Sequence, residues 1–296
     1  MTDKDIFIPH NFLGLPANYC SFRKSKFVIL PIPYEGTSSY KTGTRYGPQA
    51  IINASKQVEF YDQDLKAEPY KKGICTLDEL EPAVSRPEQM IQAIHRAAKG
   101  LLNKGKILIG LGGEHTITIG LVKAFKERYK DISVLQLDAH ADLRDSYQGS
   151  KYSHACVMKR INELCNYVGV GIRSLSKEEA SFARKQGIEI FSAKEMKDDP
   201  SFVERVLSCL SENVYLTFDL DYFDPSIMPA VGTPEPGGPL WYETLDFLKE
   251  VIGNKNVVGL DLVELSPLPG IIAPDFIAAR LLYKIMGYIS FRTGRG

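Results

Sequence analysis

Short apolar runs alternate along this chain with longer stretches in which apolar residues recur at helical spacing. Phe27-Val28-Ile29-Leu30 stops at Pro31 and predicts a buried strand. Residues 89–102 show helical spacing behind Pro87 and predict a helix. Lys106-Ile107-Leu108-Ile109 predicts a strand and residues 117–129 a helix, with two further strands at residues 133–137 and 167–170. Residues 178–185 and 202–210 read as helices around an extended segment at 188–191. Residues 214–218 and 257–260 are late strands flanking a helix over 242–251, and an apolar helix over 277–289 closes the chain. Such alternation predicts a mostly parallel sheet with helices on both faces. No repeat, low-complexity tract or linker divides the chain, so one domain over residues 1–296 is expected. Residues 1–60 are expected to wrap around the core, with residues 1–25 peripheral.

Composition narrows the class. With 296 residues, 44% of them hydrophobic and 24% charged, the chain can bury a sizeable core. Its 36 basic residues balance 36 acidic ones and form no basic stripe, so no nucleic-acid partner is expected. Residues 1–5 are polar, unlike a signal peptide, and no apolar run approaches the roughly 20 residues that cross a bilayer. Cys20, Cys75, Cys156, Cys165 and Cys209 are scattered and never spaced as CxxC, which fits free thiols in a reducing cytoplasm. The expectation is a soluble cytoplasmic enzyme for a small molecule, with no membrane partner.

Candidate chemistry collects where strands end, which is where open parallel sheets bind ligands. The strand at 106–109 leads to Gly112-Gly113-Glu114-His115, and that at 133–137 to Asp138-Ala139-His140-Ala141-Asp142. The strand at 214–218 leads to Asp219-Leu220-Asp221, and the last one to Asp261-Leu262-Val263-Glu264. Alternate side chains of extended chain share a face, so Asp138, His140 and Asp142 are expected to point one way, as are Asp219 and Asp221. One such motif alone is commonly a solvated acidic loop; three clusters that each follow a strand are not. Four carboxylates packed together raise one another's pKa, and divalent cations relieve that repulsion. Oxygen-rich donors with imidazole and no thiolate favour manganese. Six ligands suit two ions about 3.5–4 Å apart that share bridging carboxylates. Two dications cancel four carboxylates, and a bound hydroxide then tips the site negative, which suits a cationic guanidinium. Coordination also draws the pKa of that water towards about 7.

These motifs resemble the ureohydrolase (arginase/agmatinase) family, and the agmatinases most. The resemblance rests on GGEHT at 112–116, DAHAD at 138–142, FDLDYFDP at 218–225 and GTPEPGG at 232–238, with GTRYGP at 43–48. It implies a three-layer α/β/α sandwich, arginase-like, and two Mn²⁺ per chain. His115 and Asp142 would hold one ion, His140 and Asp221 the other, with Asp138 and Asp219 bridging. A metal-bridging hydroxide would attack the guanidinium carbon, and the intermediate would collapse to urea and an amine. Glu264 matches the family's guanidinium-binding carboxylate, a match of two oxygens to a planar N–H fork. His154 matches the active-site histidine, a proton donor to the leaving amine. The family commonly forms trimers or hexamers, so a homo-oligomer is expected. One departure stands out: the usual GGDHS reads Gly113-Glu114-His115-Thr116 here, and the longer acid can reorient its neighbours.

The resemblance implies a small cationic guanidino substrate, with agmatine, cleaved to putrescine and urea in polyamine biosynthesis, as the first choice. Aminopropylagmatine, arginine and guanidinobutyrate are the alternatives. Glu235 or Asp145 could attract a distal ammonium, whereas Arg144 could receive a carboxylate. A mononuclear zinc amidohydrolase would use Asp138, His140 and Asp219 and would not need both His115 and Asp221, and a silenced polyamine-binding protein would have shed ligands that this chain keeps. Cys156 lacks an orienting partner for thiol catalysis. Asp224 is expected to fix a turn, and His10 and His95 to be structural or solvated.

Overall fold

The computed structural model describes residues 8–83, 86–102 and 105–292. Eight strands form one parallel sheet: β1 (Phe27–Ile32), β2 (Ile74–Thr76), β3 (Ile107–Gly112), β4 (Ile132–Leu137), β5 (Tyr167–Ile172), β6 (Glu189–Ser192), β7 (Asn213–Asp219) and β8 (Asn256–Val263). Their order across the sheet is β2-β1-β3-β8-β7-β4-β5-β6. One face packs on the helices Gly47–Ser55, Phe202–Cys209, Trp241–Asn254 and Ala273–Ser290. The other packs on Pro87–Leu101, Ile117–Arg128, Val157–Asn162 and Lys177–Gln186. The expected three layers are therefore present. Parallel strands covered on both faces are uniformly apolar, and β1, β4 and β5 are buried along their whole length.

β1 does not stop at Pro31 but continues to Ile32. The carbonyls of Ile29 and Pro31 both accept from the chain on the β2 side, from Leu77 and Leu80. The N–H that Pro31 lacks would face that side, beyond the end of β2, so no ladder bond is lost. β2 escapes the sequence pattern because it is three residues long. The expectation of a wrapping N-terminal region also changes. Phe12, Leu13 and Leu15 are buried in the core, and β1 lies inside the sheet. Phe12 N–H donates to Thr76 Oγ1 (3.0 Å) and Leu13 N–H to Ser55 Oγ (2.8 Å), which pins this segment. Residues 1–7, part of the segment expected to be peripheral, lie outside the described residues. Among the described residues no helix is long and apolar enough to cross a membrane, and the five cysteines are free thiols.

Candidate metal centre

The four central strands, β3, β8, β7 and β4, are neighbours in the sheet and end on the same side. Their carboxyl ends carry every candidate ligand. His115 follows β3; its Nδ1 lies 3.3 Å from Asp138 Oδ2, 3.0 Å from Asp142 Oδ2 and 3.5 Å from Asp219 Oδ2. Nδ1 of His140 lies 2.9 Å from Asp221 Oδ2 and 3.7 Å from Asp138 Oδ1. Two groups could thus hold a metal ion, His115–Asp138–Asp219 and Asp138–His140–Asp221, with Asp138 common to both and Asp142 beside His115.

The backbone reaches this arrangement by less regular means than alternation. Asp219 ends β7, and Leu220–Tyr222 turns as a 3-10 helix in which Asp219 Oδ1 accepts Asp221 N–H (3.0 Å). Asp142 (φ 50°) and Glu264 (φ 67°) sit in the left-handed region. Non-glycine residues there cost about 1–3 kcal/mol, and such strain concentrates at functional sites.

Groups outside the candidate ligands fix the imidazoles. Thr217 Oγ1 donates to Asp261 Oδ1 (2.7 Å), so towards His115 Nε2, 2.9 Å away, it can only accept. His115 therefore carries its proton on Nε2 and turns the Nδ1 lone pair at three carboxylates. Lone pairs facing lone pairs need a cation or a proton between them, and this is the test that a dication site passes. Asp261 also accepts from Tyr215 (2.6 Å) and Thr118 (2.9 Å). Gln136 Nε2 holds Asp138 Oδ2 (2.8 Å) and the His140 carbonyl (2.9 Å). Arg173 gathers the surrounding loops. Its guanidinium donates to the carbonyls of Asp221 (2.8 Å), Glu235 (2.8 Å), Gly171 (3.0 Å), Pro236 (3.1 Å), Tyr222 (3.2 Å) and Phe223 (3.2 Å). The sequence reading missed Thr217, Asp261 and Arg173 in these roles. Period-two spacing could have found Thr217 ahead of Asp219, and a lone acid among apolar residues could have found Asp261.

Electrostatics repeats the same point. Burial and then the Asp138 charge push Asp142 up to about 7. Burial, Asp221 and Asp138 drive Asp219 well above the carboxylate range. Burial and Glu114 do the same to Glu264. Burial alone would lower the imidazoles, yet the carboxylates outweigh it at His115 and lift His140 to about 12. The centre holds more negative charge than its own side chains neutralise, which is the condition dications meet.

A cavity of about 190 Å³ opens onto this cluster, lined by Asp142, His140, Asp219, Asp221, Glu264 and His154. Glu264 Oε1 accepts His115 N–H (2.6 Å). The structure thus brings His154 and Glu264 into the cavity with His140, Asp142, Asp219 and Asp221, while His115 and Asp138 are buried in the same cluster. Arg144, over the Tyr147 ring at 5.0 Å, stands at its edge with Ser39. Glu235 lies near the rim, its Oε1 3.8 Å from His140 Nε2 and its side chain 37% exposed. Asp145 pairs instead with Arg160 (2.9 Å), so it is not a free anchor for an ammonium. Burial lifts the Cys156 thiol to about 11, leaving it inert. Asp224 binds the N–H groups of Ser226 (3.0 Å) and Gly237 (2.8 Å), as a turn-fixing residue does.

A three-layer parallel α/β fold here carries, beyond its central strands, clustered oxygen and imidazole donors that could hold metal ions. Residues 25–287 match the model of the arginase family, and the chain belongs to that family of hydrolases acting on guanidino C–N bonds. It is 40% identical to an N(1)-aminopropylagmatine ureohydrolase of Synechocystis sp., over 95% of this chain and 94% of that one. It is 36% identical to an agmatinase of Pyrococcus horikoshii, over 90% and 92% of the two chains. The crystal structure of an agmatine ureohydrolase of Thermoplasma volcanium superposes with a TM-score of 0.86 at 32% identity, covering 97% of this chain and 96% of that one.

Proposed function

We propose that this chain hydrolyses a linear guanidine of the agmatine type, agmatine or its aminopropyl-extended form, to urea and the corresponding amine. One observation carries the reading: six ligand-type side chains from adjacent strands form one cluster, four of which, His140, Asp142, Asp219 and Asp221, line a cavity together with Glu264. His115 and Asp142 would hold one Mn²⁺, His140 and Asp221 the other, with Asp138 and Asp219 between them. Manganese fits an oxygen-rich, thiolate-free donor set. When bound, the ions supply neutralising charge and a water acidified towards neutral pH. Glu264, with Oε1 engaged by His115 N–H, offers its remaining lone pairs to the guanidinium, whose positive charge stabilises a carboxylate that burial disfavours. Water adds to the guanidinium carbon, the C–N bond to the alkyl chain breaks, and His154 passes a proton to the departing nitrogen. Burial holds the His154 imidazole below its ordinary pKa, so it is neutral at pH 7 and free to take up a proton before returning it.

The relatives named for aminopropylagmatine and for agmatine support the distal amine, and Glu235, with Oε1 3.8 Å from His140 Nε2, is the acid placed near the rim to meet it. Arg144 at the cavity edge favours a second reading, a guanidine ending in a carboxylate such as guanidinobutyrate or arginine. Urea release with Mn²⁺ across agmatine, aminopropylagmatine, arginine and guanidinobutyrate separates the two. Faster turnover of the amines supports the first reading, and faster turnover of the carboxylates supports the second. Binding of polyamines without turnover of any guanidine would instead favour a non-catalytic role. The wider reading is a single cytoplasmic unit over residues 1–296 that works as a trimer or hexamer. Free thiols support the compartment, and sedimentation measures the assembly.

A further inference from the structure

Beside the metal cluster, the chain leaving β1 meets the chain leaving β3 at unusually close range. A Cβ on Gly113 would lie 2.1 Å from the Tyr34 carbonyl oxygen, so only glycine permits this approach. The contact delivers Glu114, fully buried, to residues 36 and 37. Glu114 Oε2 accepts the N–H groups of Gly36 (2.8 Å) and Thr37 (2.7 Å), and Oε1 accepts the Thr37 hydroxyl (2.8 Å). An aspartate would be shorter by one C–C bond, about 1.5 Å, and would not span this gap with the same backbone.

The Thr37 hydroxyl has one hydrogen, and it goes to Glu114. Its oxygen accepts the His154 backbone N–H (2.9 Å) and faces His154 Nδ1 at 3.3 Å. Towards that ring nitrogen it can only accept. The second neighbour of Nδ1, Ser153 Oγ at 3.4 Å, accepts Ala155 N–H and has a second lone pair that can accept from Nδ1 as well. On the other side of the ring, Ser39 Oγ lies 3.2 Å from Nε2 and lines the cavity.

We propose that Glu114 and Thr37 are positioning residues that hold His154 as the Nδ1–H tautomer, leaving the Nε2 lone pair beside Ser39 as the atom that takes up and returns the reaction's proton. This rests on the role given to His154 above. A neutral imidazole has one N–H, so a donor at Nδ1 makes Nε2 the acceptor, and the Ser39 hydroxyl is placed to donate to it. The proton borrowed at Nε2 is the one delivered to the leaving nitrogen, so the imidazole ends as it began. The acid in place of the family's usual aspartate thus acts at a distance on the proton-transfer group.

The tautomer can be read directly. In ¹⁵N-histidine spectra of the full-length protein loaded with diamagnetic Zn²⁺, His154 is assigned by its loss in His154→Gln. The expected wild-type result is a protonated Nδ1 and a bare Nε2. Glu114→Gln keeps the oxygen for the two backbone N–H groups but turns an NH₂ at Thr37, whose hydrogen then swings to Nδ1; the tautomer should reverse. With Mn²⁺, Thr37→Val should lower kcat about 100-fold with little change in KM, because Thr37 does not line the cavity. Thr37→Ser should restore it. A wild-type His154 protonated at Nε2, or Thr37→Val with unchanged tautomer and kcat, overturns the proposal. Should the wild type cleave no guanidine at all, the functional reading fails while the spectra still decide the tautomer.

Discussion

Replacing Arg173 with methionine keeps a long apolar stem and removes every donor from a group that binds six backbone carbonyls. Three of those carbonyls belong to Asp221, Tyr222 and Phe223, in the turn that presents the candidate ligand Asp221. Two more belong to Glu235 and Pro236, in the loop at the rim of the site. Each bond contributes about 1 kcal/mol net, since water is the competing partner. Bonds sharing one guanidinium are not additive, and some freed carbonyls will reach solvent, so the loss should be about 3 kcal/mol rather than six. Lysine brings three donors to one point and should recover about a third to a half of it. The second consequence is local: an unanchored turn should weaken the metal position of Asp221 about 10- to 100-fold, as the loss of an outer support typically does. Urea unfolding of the metal-free chain measures the first effect, and equilibrium dialysis against Mn²⁺ with metal analysis measures the second. A methionine variant with the wild-type unfolding midpoint and both positions filled at the same free Mn²⁺ would refute the reasoning.

Other perturbations test separate parts of the account. Glu264→Gln keeps the acceptor for His115 N–H but removes the charge opposite the guanidinium, and kcat/KM for urea release should fall about 100-fold; a value within a few-fold of wild type would remove Glu264 from substrate binding. Lys284 and Asp62 form a buried pair at 2.9 Å, so Lys284→Met should cost about 3–5 kcal/mol in urea unfolding by stranding the acid, and adding Asp62→Asn should recover part of that; no recovery would mean packing, not charge, was lost. The metal-free chain should lose stability as pH rises. Asp142, Asp219, His115 and His140 are all raised in the folded state, so it binds more protons than the unfolded chain. Their contribution is complete below the unfolded values, about 4 for carboxyls and about 6.5 for imidazoles. It fades as pH passes the folded values, about 7 for Asp142 and about 12 for His140. Asp138, held below its ordinary range, works the other way, only at acid pH. Thermal melts from about pH 5 to about pH 9 should show Tm falling without metal and nearly flat with saturating Mn²⁺; a metal-free Tm that rises across that window contradicts the charge assignment.

The sequence reveals most of the sheet because buried parallel strands are continuous apolar runs, and it reveals the ligand clusters because each follows such a run. His115, Asp138, His140, Asp142, Asp219 and Asp221 are legible for that reason. What it hides is pairing across strands. Thr217 and Asp261 are register partners on β7 and β8, yet nothing in either segment states that they face each other or His115. Arg173 is hidden similarly, since its partners are carbonyls, which carry no residue identity. The left-handed Asp142 and Glu264 escape an alternation argument that assumes extended chain, and β2 is too short to show a period. Asp145 misleads because its charge is visible in the sequence and its partner Arg160, fifteen residues on, is not recognisable as one.

The strand order carries a consequence for how the centre forms. β3 and β4 are consecutive in the chain but stand three places apart in the sheet, and β7 and β8 fill the gap between them. His115 and Asp138 therefore meet only after the last two strands have been inserted. β7 also brings Asp219 and Asp221, so two of the cluster's four acids arrive in the step that closes the sheet. Inserting β7 and β8 buries apolar strands on both faces, which favours closure, while crowding at least four carboxylates around His115 and His140 opposes it. Dications act on the opposing term alone, and have no assembled ligand set to bind before closure. Metal binding and closure of the sheet are thus linked: Mn²⁺ should slow unfolding of β7 and β8 far more than fraying of the edge strand β2. Hydrogen exchange with and without Mn²⁺ would show it as protection confined to the four central strands, and equal protection of β2 would mean that the ions act elsewhere.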